Sequence, residues 1–429
     1  METQQFSQLG ETLYGETLDN GLKVYVLPKR GFNKTIVTFT TKYGSVDNTF
    51  VPLGKSDFVR VPDGIAHFLE HKMFEKEDGD VFQQFSRQGA SANAFTSFNR
   101  TAYLFSSTDQ VMKNLETLVD MVQTPYFTAQ TVEKEKGIIG QEIMMYNDNP
   151  DWRLYYGLIE NLYANHPVKI DIAGTVDSIA KITAAQLYEC YHTFYHPSNM
   201  LLFAVGNVSP DEVLSFMREN QAKKKYEKAP EIKRRFPEEP AQAAEKEQKL
   251  HMNVQIPKCL VGVKALHTSQ RGAEMQKNEL VVNLLLDMLF GRSSDAYNAL
   301  YNDGLIDTSF SFDYSQEQGF GFAMAGGDTK DPDLLAKRLK EVMVGAKEGK
   351  GLAEEALERT KKKKIGGFLR QLNSPEFIAN QFTRYAFNDM NLFDVVPVLE
   401  QIRFSDVLET AEAFFDEEER FTVCQVLPK

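Results

Sequence analysis

His67 and His71 stand four residues apart with Glu70 between them, in the run His67-Phe68-Leu69-Glu70-His71. On a helix this spacing puts both imidazoles on one face, one turn apart. Two such nitrogens can bind a single zinc ion. Glu70 falls on the same side, three residues after His67. It would stand beside the metal without entering the coordination shell, where it can take a proton from a water that the metal acidifies. Ile65, Leu69 and Met73 line the opposite face, so the helix is apolar on one side and ligand-bearing on the other. Histidines one turn apart also serve as plain surface or structural groups. Polar side chains on an otherwise buried helix are costly without a partner, however, and this favours a metal.

Catalytic zinc usually takes three protein ligands and leaves a fourth place for water. A third ligand must come from another element. Glu133 to Glu142 reads as a helix in which Glu135 and Glu142 lie two turns apart and point the same way. One can ligate while the other orients a ligating imidazole. By spacing alone, a solvated acidic helix face is the preferred reading of the pair.

The elements that must position these groups can be read from turn and periodicity signals. Asp19-Asn20-Gly21 precedes a strand at Leu22–Leu27, ended by Pro28. Strands follow at Thr35–Thr41, Thr101–Phe105 and Met200–Val205. Helical patterns cover Gly64 to about Lys76, with Asp63 as the expected cap, then Val111–Val122, Ala129 to about Tyr146 and Ala184–His192. Ser209 and Pro210 mark another helix start.

The chain of 429 residues is long enough for two or three domains. Lys, Glu and Pro crowd residues 222–249, which read as a solvated charged linker between an N-terminal domain, 1–221, and a C-terminal domain, 250–429. The flanks resemble each other: Phe68–Phe74 pairs with Leu284–Phe290, and Phe85–Gly89 with Tyr301–Gly304. A duplicated α+β domain follows, each copy a mainly antiparallel sheet with helices packed on one face. The second copy lacks histidines at the matching place. Lys361–Lys364 reads as a solvated helix face, Trp152 as a packing residue, and His166-Pro167 as a loop former.

A net charge of -12 argues against a general nucleic-acid surface. Cys190, Cys259 and Cys424 are too scattered for a disulfide framework and read as reduced thiols. The start of the chain has no basic region leading into an apolar run, and no apolar run is long enough to span a membrane. A soluble cytoplasmic protein is expected.

The His-x-x-Glu-His pattern is the inverted zincin motif. Around it, over about the first 215 residues, the sequence resembles the inverzincin metallopeptidases, the family of pitrilysin, insulin-degrading enzyme and the mitochondrial processing peptidase. The segments that carry the likeness are Leu18–Val24, Asp63–His71, Asn93-Ala94-Phe95-Thr96, Thr101-Ala102-Tyr103, Glu135 to Glu142 and Tyr195–Met200. The resemblance implies that His67, His71 and Glu142 hold one Zn2+, that Glu70 is the general base and that Glu135 supports the ligands. It also implies a substrate edge at Ala92-Asn93-Ala94, where an extended peptide adds as a strand.

One departure bears on partners. The family carries an arginine and a tyrosine in its second half, in a segment like Leu-Arg-Glu-x-Gly-Leu-x-Tyr. Here Leu300 to Asp307 places Tyr301 and Asp307 at those positions, and an aspartate would repel a developing oxyanion. The resemblance then implies a heterodimer whose paralogous subunit supplies the arginine–tyrosine pair, with a homodimer as the other arrangement. The expected function is that of a zinc-dependent endopeptidase subunit that hydrolyses peptides or small unfolded segments in a chamber closed by dimerisation. The alternative is a non-catalytic scaffold or peptide-binding subunit with a structural metal.

Overall fold

The computed structural model describes residues 1–227, 229–266 and 268–429; Lys228, within the expected linker, lies outside them. The fold is α+β, in two compact units. The units are interleaved along the chain. One comprises Met1–Ile143, Ile170–Phe236 and Gln371–Phe387; the other comprises Met144–Lys169, Pro237–Arg370 and Asn388–Lys429.

The first unit is built on a seven-stranded sheet. Its spatial order is Glu2–Phe6, Glu11–Thr17, Lys23–Pro28, Met200–Gly206, Thr35–Thr41, Thr101–Ser107 and Ala90–Thr96. All neighbours are antiparallel except the pair Lys23–Pro28 and Met200–Gly206. The β-branched run Thr35–Thr41 is buried throughout, as a central strand covered on both faces must be. Phe105, opposite Val37, meets Phe85 on one face. Phe203, opposite Thr38, stacks on Phe382 at 4.2 Å on the other. Ala90–Thr96 ends the sheet order.

The second unit holds a five-stranded sheet, ordered Glu247–Met252, Phe421–Pro428, Lys258–Lys264, Phe320–Asp328 and Ser311–Glu317. To the duplicated plan the structure adds an exchange. The Pro150–Leu162 helix comes from the first half of the chain but packs on the second unit's sheet, while Pro375–Phe387 packs on the first. Two glycines permit the close approach of Pro150–Leu162. A Cβ on Gly157 would lie 2.8 Å from Cys424 Sγ, and one on Gly262 would lie 3.0 Å from Leu158.

The stretch read as a solvated linker is fastened to both units. In the first, Lys233 and Arg235 make backbone hydrogen bonds with Val51 and Thr49. Arg234 donates to Asp47 at 2.7 Å and to the Lys42 carbonyl, and Asp47 is only 5% exposed. In the second, Glu239 accepts the backbone N–H groups of Ala164, Asn165 and His166 and the ammonium of Lys264. Composition averaged over this stretch hides two specific anchors, each paired with a buried group of opposite charge. The lysine run shows a similar local difference. Lys361 is buried and donates to the Glu400 and Ile402 carbonyls, while Lys363 and Lys364 flank the buried Asp287. Trp152 stacks on Tyr146 at 4.4 Å. His166 Nδ1 accepts the Val168 N–H in a short 3-10 turn, which fits its loop reading.

Burial pushes the Glu239 carboxyl up, but the Lys264 ammonium and the three N–H groups outweigh it and hold it below the ordinary glutamate value. Burial lowers the Lys264 ammonium despite this pairing, so the stabilisation is assigned to the carboxylate. A carboxylate lowered on folding stabilises above its unfolded pKa, and that contribution is lost as pH falls through the folded value. Glu239→Gln should cost about 2 kcal/mol near neutral pH, read as a melting shift of about 4–8 °C. The difference from the parent chain should shrink once the pH falls below the ordinary glutamate value and vanish below the lowered folded one. Equal melting curves at pH 7 would refute the anchor.

Candidate metal centre

The histidine-bearing helix is Ile65–Lys72, shorter than its sequence pattern. Asp63 does not cap it. Its carboxylate accepts from Asn48 and Arg60, and Gly64 takes the cap position with φ near +88°. A Cβ at Gly64 would lie 2.4 Å from the Ala173 carbonyl oxygen, so glycine alone fits without displacement. Ser178 donates to the Asp63 carbonyl at 2.8 Å and pins the same corner. Phe68 and Leu69 are fully buried, which sets the rotation of the helix.

The glutamate-bearing helix is Ala129–Asn147, close to its expected span. Val132, Ile139 and Ile143 form its buried stripe, and Glu135 lies within that stripe at 8% exposure. A carboxylate so placed needs a partner. It has one: Glu135 Oε1 lies 3.0 Å from His71 Nδ1. That contact turns His71 Nε2 toward Glu142, whose Oε2 is 3.5 Å away. Glu142 Oε1 is 3.8 Å from His67 Nε2. The two imidazole rings sit 4.6 Å apart at 65°.

Donor atoms of His67, His71 and Glu142 therefore all lie within 4.8 Å of one another, the one such group of three among the described residues. Two imidazole nitrogens and a carboxylate oxygen suit zinc, whose catalytic sites take three protein ligands. Glu70 is 8% exposed and accepts from the Thr96 hydroxyl at 2.7 Å. The Tyr103 and Tyr195 hydroxyls pair at 2.7 Å in the neighbouring core. Lys72 is wholly buried, with its ammonium on Glu75 and the Thr131 carbonyl. The histidine spacing alone gave no sign of Thr96 or Lys72, because both act through contacts made in three dimensions.

The environment separates the histidines. Burial, with His71 adding to it, pushes His67 down to about 3, so it is neutral and its lone pair is free to ligate. Burial acts on His71 in the same direction, but the Glu135 hydrogen bond and the nearby Glu70 and Glu142 carboxylates outweigh it and raise the imidazole above its usual value. Burial raises Glu70, partly offset by the Thr96 bond. Burial pushes Glu135 up, but its bond to His71 and the charges of His71, Lys72 and Lys134 together outweigh it and hold the carboxyl below its usual value.

Ala92, Asn93 and Ala94 lie in the edge strand Ala90–Thr96, and Asn93 is exposed. The Ala94 N–H already donates to its neighbour's side chain, Asn93 Oδ1, at 2.9 Å. An incoming strand would have to displace that contact. Tyr301 is half exposed and stacked on Tyr297, and Asp307 accepts the Ser309 N–H in a local turn.

With this geometry in view, similarity to known proteins decides the family. Residues 61–176 match the family described as Insulinase (Peptidase family M16), and residues 181–364 match the Peptidase M16 inactive domain. A Bacillus subtilis chain named uncharacterized zinc protease YmfH is 63% identical over 425 residues, covering 99% of both chains. This chain belongs to the insulinase family, peptidase family M16. Among solved structures, an M16-like peptidase from Alicyclobacillus acidocaldarius superposes with a TM-score of 0.93 at 41% identity, covering 98% of this chain and 99% of that one. The periplasmic protease PqqL from Escherichia coli shares the fold at a TM-score of 0.76 and 18% identity; the match covers all of this chain and 48% of PqqL. The chain thus has the inverzincin-type membership expected from its motif, in a family whose relatives are named zinc proteases.

The two histidines should contribute one proton, not two, to the pH dependence of zinc affinity. Bound zinc would displace the second ring proton of His71, whereas His67 carries only one ring proton above pH about 3. Measured by chelator competition below the His71 pKa, affinity should rise about tenfold per pH unit. A hundredfold rise per unit would refute the neutral assignment of His67. Glu135→Gln should weaken zinc binding by about 10- to 100-fold.

Proposed function

We propose that the chain is a zinc-dependent endopeptidase subunit that hydrolyses peptides or small unfolded segments. The observation that carries this reading is the convergence of His67, His71 and Glu142 with Glu70 alongside and Glu135 on the outer nitrogen of His71. Zinc held by the first three would supply Lewis-acid polarisation of the scissile carbonyl and lower the pKa of the attacking water.

The remaining work falls to the chain's own groups. Glu70 accepts a proton from the attacking water and later delivers it to the departing amine. Its partial desolvation raises its basicity, which suits a group that must take and return a proton. Glu135 fixes the ring of His71 and keeps Nδ1 as the donor, leaving Nε2 to ligate. Ala92, Asn93 and Ala94 offer the backbone edge on which an extended peptide adds as a strand. Such pairing grips main chain and imposes little sequence preference.

In this reading residues 1–221 make up the peptidase domain, and residues 250–429 are its inactive duplicate. Activity is proposed to need a second subunit, with the chamber closed by dimerisation. A paralogue that supplies an arginine–tyrosine pair would provide what Tyr301 and Asp307 lack, because an acidic group cannot steady an oxyanion. The likeness to about half of PqqL accords with a half-length subunit. A cytoplasmic location is proposed from three buried, unpaired cysteines. Among the described residues, no helix is long and apolar enough to cross a membrane. The scaffold alternative is disfavoured by the three-donor set and by Glu70, since a structural zinc normally has four protein ligands and needs no base.

Glu70→Gln should abolish peptide cleavage, by about a thousandfold or more, while zinc content stays at one ion per chain. Continued cleavage by that variant would remove Glu70 as the base. The purified chain should cleave weakly or not at all by itself, and a paralogue bearing the arginine–tyrosine pair should raise the rate. Full activity of a purified homodimer would exclude the divided arrangement.

A further inference from the structure

The bond between Thr96 and Glu70 has a consequence for how the base is presented. We propose that Thr96 is a positioning residue: its hydroxyl holds one oxygen of Glu70, so that the other oxygen faces the attacking water. This deepens the peptidase reading above and rests on it.

Thr96 Oγ1 donates to Glu70 Oε2 at 2.7 Å. A hydroxyl bonded to a carboxylate at this distance makes a strong, charge-assisted contact. The neighbouring Thr101 hydroxyl does not compete for the carboxylate, because it donates to the Tyr43 carbonyl at 2.9 Å. Thr101 lies farther from Thr96, at 3.4 Å between the oxygens. The single proton of Thr96 therefore has Glu70 as its nearer acceptor.

The hydroxyl is also well anchored. Thr96 is the last residue of the edge strand and pairs with Thr101 across a tight hairpin. The Ser97 N–H donates to the Arg100 carbonyl at 2.8 Å and closes that hairpin. Arg100 is itself buried and tied to Asn380. A β-branched side chain on such a backbone has few rotamers. The terminal torsion of a glutamate is otherwise broad and nearly two-fold. Holding one oxygen removes that freedom and presets the other, the kind of orientation that lowers a barrier before any bond changes.

The contact also joins two parts of the proposed mechanism. Thr96 ends the strand that bears Ala92, Asn93 and Ala94. The register of a peptide added to that strand and the position of the base are then set by one stretch of backbone.

Thr96→Val keeps the shape and removes the donor, whereas Thr96→Ser keeps the donor. Crystal structures of both zinc-loaded variants, as full chains, should differ at Glu70. In T96V its carboxylate should be rotated or in two orientations, and in T96S it should superpose on the parent. With whichever subunits give activity in the parent, T96V should lower kcat by about 10- to 30-fold at unchanged KM, and T96S should stay within about threefold. Zinc affinity should be unchanged in both, which separates this effect from misfolding. Glu70 held in the parental orientation in T96V, or a parental kcat, overturns the proposal. Should T96V cleave normally while Glu70→Gln is inactive, only the role of Thr96 falls. Cleavage by Glu70→Gln would instead remove the base assignment, and with it this inference.

Discussion

The site depends on the contact between Glu135 and His71. His71 belongs to a short helix of eight residues, and Glu142 to a long one. Glu135 reaches from the long helix to the outer nitrogen of His71 and fixes how that ring is turned. Once the ring is turned, Nε2 faces Glu142, two helical turns from the carboxylate that orients it. The seven-residue interval along the long helix, about 10 Å of rise, thus spans the two sides of one imidazole. Loosening that contact would leave three donors without a common focus.

Charge explains why such a junction would suit a cation. Glu70, Glu135 and Glu142 gather beside two histidines in a largely desolvated place. Burying carboxylates is costly unless opposite charge or donors meet them. Glu70 has Thr96, and Glu135 has His71. His67 cannot help by protonating, because burial keeps it neutral. Its inner nitrogen can offer a lone pair but no charge. A divalent ion would use that lone pair and answer the carboxylates together, so the neutrality of His67 and the gathering of carboxylates favour the same solution.

Much of this was legible in the residues. The spacing of His67, Glu70 and His71 marked a helix face, and the β-branched run at Thr35–Thr41 marked a strand with the observed bounds. Ser209 caps its helix with Pro210 at the first position, as the local pattern indicates. What spacing left open was the partner of each acidic group. Nothing within Glu133–Glu142 distinguishes a carboxylate that meets an imidazole from one that meets water; family resemblance singled out Glu142, and only the tertiary packing brings it near both rings. Asp63 looked like a cap because helix starts favour aspartate, yet the chain enters through a left-handed glycine pressed against Ala173, a close approach invisible in the sequence. The linker misled for the same reason. Arg234 and Glu239 look like any other charges in a charged run until Asp47 and Lys264 are found facing them.

The second unit holds a helix junction of opposite polarity. Its Gly272–Phe290 helix contains the segment Leu284–Phe290 that resembles Phe68–Phe74 in sequence, a pairing that sets Asp287 against His71. Asp287 is 4% exposed at its side chain and is met by Lys363 at 2.5 Å and Lys364 at 3.6 Å, both from the Glu354–Gln371 helix. The polarity of the junction is reversed. In the first unit the Ala129–Asn147 helix brings carboxylates and the Ile65–Lys72 helix brings imidazoles; in the second the Glu354–Gln371 helix brings ammonium groups and the Gly272–Phe290 helix brings the carboxylate. An ammonium carries its own compensating charge, so this junction closes without a guest ion. It also leaves no lone pairs converging on an empty centre, because a protonated lysine donates and cannot ligate. The two junctions solve one electrostatic problem in two ways, and only the solution with neutral imidazoles leaves a place where chemistry can be done.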